Sequence, residues 1–510
     1  MTPLRFSITW LALLALGAGA GLHAQEASAK APPAARANIV LILADDLGYG
    51  ELGCYGQEKI RTPHLDRLAA EGLRFTQAYS GAPVCAPSRC VLLTGKHTGH
   101  AEIRGNREQK DAAGKSLEGQ HPLSAEAQTL PRLFQRAGYA TAAFGKWGLG
   151  QAGTSGGPNE KGFELFFGVT CQRVAHSYYP RFVWRNGVQE LLNEKPVPGH
   201  AKKPEGEIRT EDWSSARHLS SAVRDEALRW LAERKEDERP FFLYLPFLEP
   251  HVAMQPERSF VERYPAEWDP EPYRGQCGYT PHPRPRAGYA AMISQLDDNV
   301  GRIVAALEAQ GLAENTLIVF TSDNGTTHES QGDPVLGVGG VDGEFFRSTA
   351  GLRGRKGSVY EGGIRVPLLA RWKGKLAAGQ TIDAPVHSAD LLPTLCAFAG
   401  IAVPSELDGR DLHATFEQPT QLPERARFVW VFPEYGGQVA VRFGDWKLLR
   451  RGLSTKQIGA WELYDLAADP LEQHDLAAAR PEIVSEGLDL LRKEVAPNEA
   501  FPLAIPELAK

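Results

Sequence analysis

The chain has 510 residues, 42% of them hydrophobic and 23% charged, with 56 Lys and Arg against 62 Asp and Glu and a formal charge of −6. That length and apolar content predict a large core, with more than one domain or a large domain carrying a small one. The acidic balance and the lack of a long charge block count against a nucleic-acid binder, which needs a basic surface.

The N-terminus comes first. Arg5 precedes an apolar run over 6–22, small residues surround Ala24, and the chain turns polar from Gln25. This is the layout of a cleaved secretory signal peptide over 1–24. The run is short and dotted with Gly and Ala, which disfavours a membrane anchor, and no Cys follows it to carry a lipid. Residues 25–37, with Pro32 and Pro33, read as a flexible lead. No later stretch is apolar enough to span a bilayer, so the mature protein is expected to be exported, periplasmic or secreted, and not embedded in a membrane.

From residue 38 strands and helices alternate. The run Asn-Ile-Val-Leu-Ile-Leu-Ala over 38–44 suits a strand buried on both faces. Helices are expected over 62–72, 125–138, 215–235, 288–311 and 388–399, and strands over 139–144, 241–245, 316–321 and 364–370. This alternation predicts an α/β fold: a large mixed, mostly parallel sheet with helices on both faces. Past about residue 405 short strands at 428–432, 439–443, 446–449 and 461–463, then a helix at 481–493, predict a small antiparallel sheet with a helix. The expected division is a catalytic domain over 38–410 and an α+β subdomain over 411–510.

There are six cysteines, too few for a disulfide-built scaffold; Cys54 and Cys396 suit small buried positions. Two oxygen-rich pairs stand at strand ends: Asp45 and Asp46 after the first, Asp323 and Asn324 after the strand at 316–321. In such sheets ligands gather beyond the carboxyl ends of the strands. Carboxylate and amide oxygens select Ca²⁺ or Mg²⁺, although either pair alone reads as well as a turn or cap. Cys85-Ala86-Pro87-Ser88-Arg89 predicts a helix starting near Pro87. Cys85 would then stand at its positive end, where an anion is favoured.

This segment closely resembles the type I sulfatases of the alkaline phosphatase-like superfamily, in which a maturase converts the Cys of Cys-x-Pro-Ser-Arg to formylglycine. Further segments match in order. Asp45-Asp46-Leu47-Gly48 resembles the first metal-binding strand, and Gly145-Lys146-Trp147 the lysine loop. Glu249-Pro250-His251 resembles the histidine loop, and Ser322-Asp323-Asn324-Gly325 the second metal pair. Lys356-Gly357 with 360–367 resembles the second lysine loop, and Asp445-Trp446-Lys447-Leu448 with 463–470 the C-terminal subdomain. The matches span Asn38 to about Asp475, nearly the whole mature chain.

The resemblance implies the roles. One hydroxyl of the formylglycine hydrate at Cys85 attacks sulfur, and the other later helps expel sulfate. One Ca²⁺ is held by Asp45, Asp46, Asp323, Asn324 and the group at Cys85, acting as Lewis acid and template. Arg89 steadies the formylglycine hydroxyl, Lys146 and Lys356 neutralise the sulfate, His251 protonates the leaving alcohol, and Asp323 takes the nucleophile's proton. The expected partner is a small sulfated substrate, a sugar by weaker indications: export, and the aromatic-polar tract Cys171-Gln172-Arg173-Val174-Ala175-His176 followed by Tyr178-Tyr179. His97, His100, Arg104, Asn106, Arg173 and His176 are the candidate substrate-binding residues, with ordinary loop or packing roles as the alternative. Related enzymes that cleave phosphonate or phosphate esters are the competing reading; an exported anion- or glycan-binding protein that has lost catalysis is disfavoured by the intact set. One departure stands out. Many family members read Gly-Lys-Trp-His, whereas here Gly148 follows Trp147. His176 is the expected replacement for that imidazole, the alternative being water.

Overall fold

The computed structural model describes residues 36–111, 113–114, 116–330, 335–421 and 427–508. The expected signal peptide and most of the lead lie outside these residues.

The first strand, Asn38–Asp45, is buried at every position. It pairs in parallel with Phe241–Pro250 on one side and Thr316–Ser322 on the other. Side chains of a strand alternate between faces, and here both faces are covered. Val40, Ile42 and Ala44 join one core with residues of the helices Pro63–Ala70, Leu219–Glu233 and Pro285–Ala309. Ile39, Leu41 and Leu43 join a second core with Cys85–Thr94, Leu130–Arg136 and Leu391–Phe398. A strand buried on both faces has no place for the usual polar alternation, which explains its continuous apolar run.

Among the described residues the sheet has 11 strands. Ala140–Lys146 and Leu165–Val169 continue it in parallel beyond Phe241–Pro250. On the other side Arg365–Arg371 runs antiparallel to Thr316–Ser322 and to Leu73–Tyr79, which makes the sheet mixed. The expected helix over 125–138 forms only as Leu130–Arg136. Pro131 stands in its first turn; it has no N–H to bond the carbonyl four residues back and its ring clashes with that carbonyl, so the helix cannot extend back to 125. The expected helix at 388–399 begins with a tighter 3-10 turn, Ser388–Asp390.

Arg427–Phe432, Gln438–Phe443, Trp446–Arg451 and Trp461–Asp465 form the four-stranded antiparallel sheet in that order. One face packs Val429, Val441, Leu448 and Leu463 on Leu490 and Leu491 of the helix Pro481–Glu494. The other packs Phe428, Trp430 and Leu449 on Tyr79, Val84 and Ile364 of the main sheet's loops and strands. Lys447 crosses this second interface. Its Nζ lies 2.9 Å from Glu361 and 2.8 Å from Glu472, with all three side chains fully buried.

All six cysteines are free thiols, with Cys396 buried as expected and Cys54 only half-buried. Among the described residues no helix is long and apolar enough to cross a membrane.

Candidate active site

The parallel register sets Ala44 opposite Ser322. The residues that follow therefore leave the sheet side by side at its carboxyl edge. Asp46 turns through φ 66°, a conformation that Asp and Asn tolerate better than most residues. Its N–H donates to Asp323 Oδ1 at 3.2 Å, and Asn324 Nδ2 donates to Asp46 Oδ1 at 2.8 Å. The two pairs singled out in the sequence thus form one cluster, buried throughout.

Cys85 is the first residue of the helix Cys85–Thr94, in which every residue is buried. The helix starts two residues before Pro87, because proline is tolerated anywhere in a first turn, where no intrahelical N–H is needed. Asn106 Oδ1 accepts the Ala86 N–H at 2.8 Å and satisfies one of the orphan donors. The carboxylate of Glu434 holds Asn106 by accepting its backbone N–H at 2.9 Å. The Cys85 thiol donates to Asp45 Oδ1 at 3.3 Å. Burial, then the Asp45 carboxylate, push this thiol well above its usual range. An unmodified Cys85 would therefore be a poor nucleophile, since the thiolate is the reactive form.

Three cations face the three carboxylates. Arg89 Nε and Nη2 both donate to Asp323 Oδ2, at 3.0 and 2.8 Å, and its Nη1 donates to the Lys146 carbonyl at 2.5 Å. Lys146 Nζ donates to Asp45 Oδ2. Lys356 Nζ lies 2.8 Å from Asp46 Oδ2 and 2.7 Å from Oδ1. Burial alone would raise Asp45, but Lys146, His251, Arg89 and Lys356 hold it well below the carboxylate range. Asp323 goes the other way: burial and then Asp45 push it up to about 6 against Arg89 and Lys146. Asn324 Oδ1 is buried without a partner, and ligand atoms of Asp45, Asp46, Cys85 and His251 lie within 4.8 Å of one another. Carboxylate oxygens around an orphaned amide oxygen fit a hard divalent cation.

His251 follows the strand Phe241–Pro250. Its Nδ1 donates to the Val252 carbonyl at 2.5 Å, which turns Nε2 toward Asp46 Oδ2, 3.7 Å away. Burial and then Lys356 hold its pKa well below that of a free imidazole, so Nε2 carries a lone pair. Cys85, His251 and Lys356 open on a cavity of about 370 Å³, also lined by Asn106, Arg173 and His176. Tyr279, His328, Lys356 and Tyr435 are shared with a neighbouring cavity of about 730 Å³ that holds Arg353, Arg355 and Arg451.

Of the candidate substrate-binding residues, Asn106, Arg173 and His176 line the smaller cavity and His97, His100 and Arg104 do not. The helix after Cys85 carries the chain roughly 15 Å away before His97. His97 and His100 are engaged with Asp408, by a backbone N–H at 2.9 Å and a ring nitrogen at 2.9 Å. Arg104 donates to the carbonyls of Ala101, Gly99 and Ala496. Arg173 pairs with Glu108 at 2.9 Å. The His176 ring stacks on His251, while the space above Gly148 is filled by the carboxamide of Gln172. Tyr279, His328 and Tyr435 were not foreseen. They come from loops without a motif, and only folding brings them to the cavity.

The Sulfatase family description matches residues 37–401. That is well over half of the chain. The chain belongs to the sulfatase family. A second description, N-sulphoglucosamine sulphohydrolase, C-terminal, matches residues 355–492 of this sulfatase. Human arylsulfatase A is 34% identical, covering 95% of this chain and 90% of its own. The N-acetylgalactosamine-6-O-sulfatase of Bacteroides thetaiotaomicron is 29% identical over 89% and 92%. The crystal structure of Ps i-CgsB in complex with k-i-k-neocarrahexaose superposes with a TM-score of 0.72 at 26% identity, covering 90% and 94%. As a sulfatase, this chain acts on sulfated substrates, and its architecture is the alkaline phosphatase-like one that the sequence motifs imply.

Proposed function

We propose that this sulfatase removes sulfate from a sulfated carbohydrate, using a formylglycine that a maturase makes from Cys85 and one Ca²⁺ held by Asp45, Asp46, Asp323 and Asn324. The observation that carries the reading is the seat of Cys85: a buried helix start, 3.3 Å from a carboxylate of the acidic cluster, opening on the cavity that holds His251 and Lys356. A thiol raised by burial serves poorly as a nucleophile there, whereas the hydrate of formylglycine supplies a hydroxyl nucleophile. The bound Ca²⁺ supplies Lewis-acid charge for the reacting oxygens.

The chain's own groups do the rest. Lys146 and Lys356 hold the sulfate oxygens and offset charge as it builds. Arg89 ties the helix of Cys85 to Asp323 and to the Lys146 carbonyl, so one guanidinium links the nucleophile's helix to the lysine's strand. Asp323, beside the nucleophile, accepts its proton. His251 moves a proton at Nε2. Burial and then Lys356 depress this imidazole in the free protein; an anionic ester beside Lys356 offsets the second of these and favours donation from His251 to the leaving alcohol oxygen.

The carbohydrate reading is supported by the neighbouring cavity of about 730 Å³, which shares Tyr279, His328, Lys356 and Tyr435 with the catalytic one and carries Arg353, Arg355 and Arg451. It is supported also by the relative named N-acetylgalactosamine-6-O-sulfatase and by the neighbour solved with k-i-k-neocarrahexaose. The leader at 1–24 directs export, where such polymers are met. A screen of defined sulfated mono- and disaccharides beside an aryl sulfate and an aryl phosphodiester tests the reading. Release of sulfate from at least one sugar, faster than phosphodiester cleavage, is expected. Turnover of aryl sulfate with none on any sugar would remove the carbohydrate, and preference for the phosphodiester would remove the sulfatase specificity.

A further inference from the structure

Gly148 sits two residues past Lys146 with φ 89°, in the left-handed region that favours glycine. A Cβ at this position would overlap Gln172 Nε2, and the next nearest atoms are Cδ and Cγ of the same side chain. The absent side chain at 148 and the presence of Gln172 are therefore one feature: the glutamine occupies the room that the glycine leaves. Its position is fixed from behind, since its backbone N–H donates to Gln120 Oε1 at 2.9 Å.

The carboxamide itself is unusual. Gln172 is only 5% exposed, yet neither Nε2 nor Oε1 has a hydrogen-bond partner. Buried amides are nearly always paired, because burying an unpaired polar group is costly. Gln172 lines the same cavity as Cys85, His251 and Lys356. An amide held without a partner, on the wall of a cavity that Lys356 also lines, is arranged for a ligand that brings acceptor oxygens. We propose that Gln172 is a substrate-binding residue, whose Nε2 donates a hydrogen bond to an oxygen of the bound sulfate group. The inference rests on the sulfatase reading of this site and adds to it a residue of the polar tract that is not among the candidate site residues.

The variants Gln172→Ala and Gln172→Glu test it in the full chain, with inorganic sulfate as the probe in calorimetry and a hydrolysed sulfate ester in kinetics. A hydrogen bond to an anion predicts sulfate affinity and kcat/KM about 10- to 100-fold lower in Gln172→Ala. Gln172→Glu should fall further, because its added carboxylate repels the anion while keeping the shape. A purely structural glutamine would instead lower the melting temperature of Gln172→Ala and leave sulfate affinity and kcat/KM unchanged; that result overturns the proposal. Because sulfate binding needs no turnover, the assay also works on protein whose Cys85 is unmodified. Wild-type protein that neither binds sulfate nor cleaves any sulfate ester would refute the underlying reading of the site, and with it this role for Gln172.

Discussion

The imidazole of His176 lies flat on that of His251, with ring centroids 5.1 Å apart and planes 12° apart. His176 Nδ1 is also 2.9 Å from His200 Nε2. The pair is therefore anchored at its outer ring, and the inner ring inherits a fixed plane. Removing the outer ring in His176→Ala frees His251 to leave the line to the departing oxygen. A fall in kcat of about tenfold with little change in KM is expected, and His176→Phe should retain more activity by keeping the stack. A rise in KM alone would make His176 a sugar contact instead.

The ion triad of Lys447 with Glu361 and Glu472 predicts a large stability effect far from the chemistry. Burial raises Glu472 to about 7 even with Lys447 beside it. Lys447→Met would leave buried Glu472 without its cation and Glu361 with Arg365 3.5 Å away, and a loss of about 3–5 kcal/mol follows. Denaturant unfolding measures it. Lys447→Met together with Glu361→Gln and Glu472→Gln should recover much of the loss, and no recovery would contradict the electrostatic origin.

Acid sensitivity follows from buried histidines. Burial holds His282 down to about 4, against 6.5 for an exposed imidazole. Above 6.5 both folded and unfolded chains leave it neutral. Between 6.5 and 4 only the unfolded chain takes the proton, so stability is lost as pH falls, by roughly 3 kcal/mol at full effect. Asp297, raised by burial to about 7, acts in the opposite sense, favouring the folded state as pH falls from 7 toward 4. The test is therefore a comparison. His282→Asn, whose Oδ1 still accepts the Arg284 N–H that Nδ1 accepts at 3.0 Å, should flatten the fall in melting temperature between pH 6.5 and 4. An unchanged slope would exclude His282 as its source.

Chelation separates activity from fold. Asp45, Asp46 and Asp323 are already faced by Lys146, Lys356 and Arg89, so the acidic cluster is not left unbalanced when a cation is withdrawn. Exhaustive chelation should abolish sulfate release, keep the far-ultraviolet circular dichroism, and be reversed by Ca²⁺. Full activity with no metal detected would contradict the calcium reading.

Much of this site was legible in the sequence because its parts lie on regular elements. Asp45 ends an apolar strand, Asp323 follows another, and Cys85 precedes a proline-marked helix start, so periodicity and strand-end logic point to all three. The parallel register then had only to bring the ends together. Long-range features were not legible. Arg365–Arg371 has the same apolar run as a parallel strand, and its antiparallel direction depends on the path of the preceding loop. His97, His100 and Arg104 lie close to Cys85 in sequence, but an intervening helix separates them from the cavity. Gln172 falls inside a tract that stood out for its density of polar groups. Its role was hidden because only the structure shows it filling the space above Gly148.

The central claim is the identity of the group at position 85, and peptide mass spectrometry of active protein tests it most directly. The tryptic peptide carrying residue 85 should contain formylglycine, reactive toward a hydrazide probe, in proportion to specific activity across preparations. Cys85→Ala, made alongside, should lose the probe signal and all turnover while melting within a few degrees of wild type. A fully active preparation in which residue 85 is wholly an unmodified cysteine would contradict the account.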